Sequence, residues 1–136
     1  MKKLILLFII LLSTGCFENS GQLVTTCTKN EQLNSLNIET SYIINFKTDI
    51  VENVDVTYYY KDSNISTLSS IKNSINTTDR FINGLRKNVS IDNDTEFKLS
   101  YMIYSNDEKE ILDRFFVEEK RSEMVKNLES QGYMCK

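Results

Sequence analysis

Three cysteines, Cys16, Cys27 and Cys135, are the residues of this 136-residue chain whose positions point most directly to chemistry. A cysteine thiol can carry a lipid, form a disulfide bond, bind a metal ion or act as a nucleophile. The chain contains no histidine, which is the commonest metal ligand and the commonest general base near neutral pH. Zinc sites and Ser-His or Cys-His pairs are therefore disfavoured, and we predict no catalytic, cofactor-binding or metal-binding residues.

The first sixteen residues carry the pattern of an export signal. Met1-Lys2-Lys3 is followed by an apolar run over residues 4–12 and then by small residues before Cys16. This is the order of a positive segment, an apolar segment and a cleavage site. An apolar run of about nine residues is too short to cross a bilayer core, which needs roughly twenty. We therefore predict a signal peptide at residues 1–15.

The end of this segment, Ser13-Thr14-Gly15-Cys16, resembles a bacterial lipobox, the motif whose cysteine is lipidated and becomes the first residue of the mature protein. Ser13 stands where a leucine is more usual. The motif predicts a lipid on Cys16, a tether at residues 16–22 and a location on the extracytoplasmic face of the cell membrane or envelope. An ordinary signal peptide that releases a soluble domain and a retained anchor are the two alternatives.

The composition of the remaining chain bounds its domain count and its partners. Residues 23–136 suffice for one domain and are too few for two independent cores. The chain has 16 basic and 19 acidic residues, and loss of Lys2 and Lys3 with the signal leaves a net charge of about −5. This acidic balance disfavours nucleic acid as a partner. The membrane, through the lipid on Cys16, is the partner that the sequence predicts.

Cys27 and Cys135 are the two thiols that remain if Cys16 carries lipid. They lie near opposite ends of the mature chain, and thiols outside the cytosol usually end as disulfides. We predict a bond between them that closes a loop of more than a hundred residues. Two independent buried thiols are the alternative, and if Cys16 is not lipidated three pairings are possible.

Alternating apolar residues predict a β-hairpin in the first half of the domain. Residues 38–46 and 50–60 alternate with a period of two, and Lys47-Thr48-Asp49 between them reads as a turn. Residues 23–28 predict an earlier strand, and residues 29–37 a polar loop. In Tyr58-Tyr59-Tyr60 we expect two core-facing tyrosines to flank an outward Tyr59; a ladder that stacks on a ligand is the alternative. The residues on the predicted inner side are Ile38, Thr40, Tyr42, Ile44, Phe46, Val54, Val56, Tyr58 and Tyr60.

A change to helical spacing follows the hairpin. Apolar side chains then recur at steps of three and four residues, which is one stripe of an amphipathic helix. Asn64 or Ser66 is suited to cap its start and Gly84 to end it. The poor helix formers at residues 76–78 could divide it, but we expect one long helix packed on the sheet. The stripe consists of Leu68, Ile71, Ile75, Thr78, Ile82 and Leu85.

The last third of the chain predicts a second hairpin and two helices. Residues 89–91 and 97–103 alternate on either side of Asp92-Asn93-Asp94, a turn that lacks the glycine of an EF-hand calcium loop. A short helix follows residues 105–107, and a terminal helix runs from Glu119 or Ser122 to Gln131 before Gly132. Residues 133–135 read as a short strand or coil. The acidic positions Glu108, Glu110, Asp113, Glu118 and Glu119 are expected on a solvated face.

This order of elements behind a lipobox resembles the YehR-like small bacterial lipoproteins. The resemblance rests on the pattern at residues 46–51, on Asn83-Gly84-Leu85 and above all on residues 124–133, Met-Val-Lys-Asn-Leu-Glu-Ser-Gln-Gly-Tyr. It implies an exported α+β lipoprotein of unassigned activity and transfers no catalytic residue. Cys27 and Cys135 depart from that pattern, so the disulfide rests on their positions alone.

The fold that we predict is α+β. It is an antiparallel sheet of four to five strands, made of two hairpins and a terminal strand, with the long helix and the C-terminal helix on one face. For function we expect a membrane-anchored surface or envelope lipoprotein whose domain binds an unknown protein or small-molecule ligand. A structural role in envelope maintenance is the alternative, and an enzyme that uses two carboxylates in one cleft is the third class.

Overall fold

The computed structural model describes residues 23–136, which form an α+β domain with one antiparallel sheet and three helices. The predicted signal peptide at residues 1–15, the predicted tether at 16–22 and the predicted lipidation site Cys16 lie outside the described residues. The elements are β1 (Leu23–Leu33), β2 (Leu36–Lys47), β3 (Ile50–Lys61), α1 (Ile65–Asp79), β4 (Arg86–Asp92), β5 (Glu96–Tyr104), α2 (Lys109–Arg114), α3 (Arg121–Ser130) and β6 (Met134–Cys135).

The sheet has six strands in the order β4-β5-β3-β2-β1-β6, so the predicted count of four to five was too low. The predicted polar loop at residues 29–37 was wrong, because β1 continues to Leu33 and β2 begins at Leu36. Asn34, at a φ of 55°, allows the tight turn between them. The end of β1 at residues 29–32 is polar and mostly exposed and is held by backbone hydrogen bonds, so no apolar alternation marks it. At the start of β2, Leu36 is buried and continues the alternation of Ile38 by one step.

Alternate residues of the central strands face one buried core. Cys27, Tyr42, Val56 and Tyr101 are cross-strand neighbours in a single row through β1, β2, β3 and β5, and all four are buried. Side chains of the helices complete the core from the same side. They are Leu68 of α1, Ile111 of α2, Phe115 just after α2, and Met124 and Leu128 of α3. We call this side of the sheet the covered face.

Helix α1 starts where the sequence predicts and ends earlier. The side chain of Asn64 accepts a hydrogen bond of 3.0 Å from the backbone N–H of Ser66, which satisfies a donor of the first turn. The helix ends at Asp79 and not near Gly84, which lies in the following turn with a φ of +77°. The poor helix formers at residues 76–78 thus mark its last turn and do not divide it.

A largely buried carboxylate, that of Asp79, ties α1 to neighbouring elements on the covered face. Asp79 accepts a hydrogen bond of 2.8 Å from the hydroxyl of Tyr101, pairs with Arg114 at 2.6 Å and pairs with Lys87 at 2.9 Å. Tyr101 lies in β5, Arg114 is the last residue of α2, and Lys87 lies in β4. A buried charge is costly unless it is paired and hydrogen-bonded, and the partners of Asp79 meet that requirement.

The C-terminus is joined to the first strand by a disulfide. Gly132, at a φ of +91°, turns the chain after α3, and β6 then pairs with β1. Thr26 and Lys136 exchange two backbone hydrogen bonds of 2.9 Å, so the adjacent Cys27 and Cys135 form a non-hydrogen-bonded pair, the closer kind. Their Cα atoms are 4.0 Å apart and their sulfurs are bonded.

Candidate binding surface on the open face of the sheet

The side of the sheet opposite the core, which we call the open face, presents polar side chains. Its central row consists of Thr28, Ser41, Thr57 and Ser100, one from each of β1, β2, β3 and β5. Asn88 of β4 extends the row across Ser100. Because side chains alternate along a strand, each of these residues follows or precedes one that is directed to the core.

Because the serine and threonine side chains of this row are short, the row forms a shallow part of the open face. Their own hydrogen-bonding groups are largely unused, since Ser41 and Thr57 have no side-chain partner among residues 23–136. The backbone N–H and C=O groups below them are paired in the ladders on both sides of β2 and β3. A molecule on this face would therefore be recognised by side chains and not by the main chain.

Two recesses flank Tyr59 on the open face. The first has a volume of about 410 Å³ and is lined by Asn30, Glu31, Gln32, Asn37, Ile38, Glu39, Tyr59 and Lys61. The second has a volume of about 120 Å³ and is lined by Thr28, Asn30, Glu39, Thr40, Ser41, Thr57, Tyr59 and Lys98. Asn30, Glu39 and Tyr59 contribute to both, so the tyrosine stands between them.

The position of Tyr59 is fixed by neighbouring charges. Its hydroxyl donates a hydrogen bond to the carboxylate of Glu96, and the Nζ atom of Lys98 lies 5.8 Å from its ring centroid. This hydrogen bond raises the pKa of Tyr59 and lowers the pKa of Glu96. Lys61 adds an ion pair of 3.6 Å to Glu96. The ring is thus held in place without a ligand, and it faces outward as the alternation predicts.

A third recess lies further along β3 at Asp55. It has a volume of about 520 Å³ and is lined by Asp55, Leu85, Arg86, Lys87, Asn88, Ser100 and Met102. The cross-strand neighbours of Asp55 are Ile43 and Met102. Burial between these apolar side chains raises the pKa of Asp55. No side chain among residues 23–136 pairs with this carboxylate, which sets it apart from Asp79.

Sequence reasoning missed Asp55 as a functional residue. The available signal was an ionisable residue inside an otherwise β-branched and aromatic strand, Val54 to Tyr60. An unpaired, half-buried carboxylate is costly for stability, and such groups concentrate at functional sites. Asp55 therefore belongs to the candidate surface together with Tyr59.

The carboxylates of the open face lie at separate places on the sheet. Glu31 and Glu39 line the same recess, but Glu31 pairs with Lys29 at 3.0 Å. A general acid needs a raised pKa, and Asp55, whose pKa is raised, lies four residues along β3 from Tyr59. Because Tyr59 is the cross-strand neighbour of Glu39, the positions of Asp55 and Glu39 are roughly 13 Å apart along the sheet. Paired carboxylates in glycoside hydrolases lie about 5–9.5 Å apart.

Four of the five acidic positions predicted on a solvated face are exposed, whereas Glu118 is half-buried and accepts a hydrogen bond of 3.4 Å from Asn127. Glu108, Glu110 and Glu119 are exposed, and Asp113 pairs with Lys109 at 2.6 Å along α2. After β4, the side-chain oxygen Oδ1 of Asn93 accepts hydrogen bonds from the backbone N–H groups of Thr95, at 2.9 Å, and Glu96, at 2.8 Å. These bonds close the turn between β4 and β5. Within residues 23–136, no three cysteine, aspartate or glutamate side chains converge as a metal site would require.

Comparison with known proteins adds a fold and no activity. No sequence profile of a known protein family matches the chain, and no curated protein matches it. A protein from Streptococcus pneumoniae TIGR4, solved by NMR, has a similar structure with a TM-score of 0.53 and 10% sequence identity. The match covers 88% of this chain and 87% of that one. At this identity the likeness concerns the fold alone.

The helices of the domain are short. Within residues 23–136, none of them is both long enough and apolar enough to pass through a bilayer. The longest, α1, has 15 residues, whereas a membrane-spanning helix needs about 20.

Proposed function

We propose that this protein is an exported, lipid-anchored binding protein of the bacterial envelope, and that its open face binds a polyhydroxylated ligand such as a glycan. The observation that carries the proposal is the surface around Tyr59, where hydroxyl, amide and carboxylate groups line adjoining recesses. Such concave surfaces with a few convergent polar groups are the usual form of ligand sites.

The chemistry of the open face favours sugar hydroxyls over other ligands. Serine, threonine and asparagine side chains both donate and accept hydrogen bonds, as sugar hydroxyls do. The charged residues of the face are balanced in sign, since Glu39, Asp55 and Glu96 oppose Lys61, Arg86 and Lys98. A ligand of low net charge suits this balance. Tyr59 supplies an aromatic ring at the junction of the recesses.

A peptide strand is less suited to this surface. Extended peptides bind sheets by adding a strand at an edge, where backbone groups are free. On the open face, the backbone groups of β2, β3 and β5 are paired in the ladder. A ligand that lies over these strands is therefore held by side chains.

The location of the protein is part of the proposal. Residues 1–15 carry the pattern of a lipoprotein signal, and Cys16 carries the lipid in this proposal. The Cys27–Cys135 disulfide supports an oxidising compartment, where such bonds persist. Membership of the YehR-like lipoproteins remains a proposal on the same footing.

Sedimentation with purified peptidoglycan tests the ligand class, with soluble glycan fragments as competitors. Wild-type protein with its disulfide intact should co-sediment, and Tyr59→Ala should weaken binding about tenfold or more, since a ring stacked on a ligand contributes on the order of 1.5 kcal/mol. Phe81→Ala is the matched control, because Phe81 is 76% exposed and lies outside the open-face recesses. Equal binding by the two variants, or none by the wild type, would contradict the proposal.

A further inference from the structure

Apolar side chains are exposed at the end of the domain where the described chain begins. Leu23 starts β1 opposite Phe46, and the turn between β2 and β3 follows directly, so Ile50 lies at the same end. Ile50 also forms a β-bridge with Lys120, which brings the segment at residues 115–120 beside it. We call this end of the molecule, with Leu23, Ile50 and Phe116, the anchor end.

The three apolar side chains of the anchor end are substantially exposed. Leu23 is 51% exposed, Ile50 48% and Phe116 41%. Single exposed apolar residues are common on protein surfaces, whereas a group at one place indicates an interaction site. A recess of about 410 Å³ lies beside Ile50, and Val117, the neighbour of Phe116 in the chain, contributes to it. Its lining consists of Ile50, Val51, Ser105, Leu112, Val117, Glu118 and Glu119.

The backbone directs Phe116 outward. Its φ is +54°, in the left-handed region that bulky residues rarely adopt. A hydrogen bond of 2.9 Å from the N–H of Val117 to the carbonyl of Leu112 closes this turn after α2. Phe115 and Val117 on either side are both buried. An unusual conformation thus leaves an aromatic ring at the surface between two core residues.

The sequence before Leu23 indicates what this end faces. Cys16, the proposed lipid site, is separated from Leu23 by residues 17–22. Even fully extended, the chain from Cys16 to Leu23 spans at most about 25 Å. The lipid therefore holds the anchor end near the bilayer, and the opposite end of β1, at Leu33, points away.

We propose that the anchor end docks on the lipid bilayer surface, with Phe116, Ile50 and Leu23 entering the interface between headgroups and acyl chains. The proposal rests on the lipid anchor of the proposed function. Tyr104, 41% exposed at the end of β5 with Arg86 over its ring at 4.6 Å, has the amphipathic character of residues at membrane interfaces. The membrane then holds the domain upright and leaves the open face accessible from the side.

The attraction in this docking is apolar and not electrostatic. Glu118 and Glu119 line the rim of the anchor-end recess, and the exposed Lys47 and Lys120, both β-partners of Ile50, lie at the same end. Charges of both signs at one place give no net attraction to anionic headgroups, and what remains is screened by salt. Docking should therefore be no stronger on anionic vesicles than on zwitterionic ones, and insensitive to added salt.

Tryptophan fluorescence tests the orientation directly, because the chain has no tryptophan of its own. Full-length lipidated protein would carry either Phe116→Trp or Leu33→Trp, the latter an exposed residue at the far end of β1. Both variants are reconstituted in phosphatidylcholine vesicles with brominated acyl chains. We expect a tryptophan at 116 to emit at shorter wavelength and to be quenched several-fold more than one at 33.

The outcomes separate docking from anchoring. Co-flotation of both variants with vesicles and equal, weak quenching at 116 and 33 would overturn docking while leaving the anchor intact. Failure of the lipidated wild type to float would contradict the anchor and the docking with it. If Phe116→Trp does not fold, Ile50→Trp replaces it as the probe. Glycan binding is measured without vesicles, so a failure to bind glycan is distinguishable from a failure to dock on the membrane.

A double substitution provides a second readout. Ile50→Ser with Phe116→Ser should keep the lipidated protein on vesicles but move the domain away from the surface, which lowers quenching of a tryptophan placed at Leu23. The matched control is Leu33→Ser with Ile65→Ser, two exposed residues at the opposite end. Equal quenching in the two doubly substituted proteins would contradict the proposal.

Discussion

The two faces of the sheet are built on the same strands and differ in how their polar groups are satisfied. On the covered face, Asp79 has Tyr101, Arg114 and Lys87 as partners within hydrogen-bonding or ion-pairing distance. On the open face, Asp55 is half-buried and has no partner within residues 23–136. A paired buried charge is tolerated by the fold, whereas an unpaired one reduces stability.

This difference teaches where stability and recognition reside in the domain. Most side chains of the covered face already have their neighbours, although Arg114 Nη1 is buried there without a hydrogen-bond partner among residues 23–136. Burial on this face raises the pKa of Tyr42, Tyr58 and Tyr101 by disfavouring their charged forms. The open face carries groups, such as the carboxylate of Asp55, that have no side-chain partner among residues 23–136. One strand such as β3 therefore contributes to the core and to the candidate site through alternate residues.

Truncation of one core and one surface residue gives the largest expected contrast. Phe115→Ala should lower the free energy of unfolding by about 3–5 kcal/mol, because Phe115 is 1% exposed and its loss leaves a cavity. Ser100→Ala on the open face should change it by less than about 0.5 kcal/mol. Urea denaturation followed by circular dichroism measures both. A loss at Ser100 as large as that at Phe115 would show that the open face is also a packed surface.

Removal of the disulfide should have the next largest effect. Cys27→Ser with Cys135→Ser should lower the free energy of unfolding by about 2–5 kcal/mol, the usual cost for a small secreted domain. Under conditions in which the variant is still folded, glycan binding should be unchanged, because the disulfide lies on the covered side of β1. Thiol counting on the unfolded, unreduced protein is the companion measurement, and two free thiols per chain would show that no bond forms in solution.

Substitution of Asp55 should change stability less than loss of Phe115 or of the disulfide, and it should raise stability where those changes lower it. Burial raises the pKa of Asp55 above its ordinary value of 3.8, so the group favours the folded state below that value, and this contribution is lost as the pH rises through the folded pKa. Asp55→Asn should therefore be as stable as the wild type or more stable at neutral pH, and the difference should shrink in acid. Denaturation at several pH values measures it.

The same substitution should weaken ligand binding if the third recess takes part in recognition. A variant that gains stability and loses binding is the expected behaviour of a residue retained for function. Asp79→Asn is the contrasting control, since it removes a paired charge and should destabilise the fold. Loss of stability in Asp55→Asn at neutral pH would contradict the distinction between the faces.

The sequence predicted the parts of the fold that carry strong local patterns. The α+β class, the turn at Thr48, the cap at Asn64 and the outward direction of Tyr59 are present in the structure. The extension of β1 through polar residues 29–32 was not predictable from alternation, because this end is held by backbone hydrogen bonds while its side chains lie mostly in solvent.

Most of the candidate site could not be predicted from the sequence. Ser41, Thr57 and Ser100 become neighbours through the β2–β3 and β3–β5 registers, and β3 and β5 are separated by α1 and β4 along the chain. Strand order and register across such a separation are set by the whole core. Local periodicity alone therefore gives no signal for a row of short hydroxyl residues.

The pairing of β1 has a mechanical consequence. This strand follows the proposed tether directly, and its register with β2 runs without a break over eleven pairs, from Leu23 opposite Phe46 to Leu33 opposite Leu36. A pull through the proposed lipid anchor would load these hydrogen bonds in shear, so that they share the force and must break together. The bond from Cys27 to Cys135 gives the force a second, covalent route into the domain. A domain held at this strand should resist being drawn open by its own anchor.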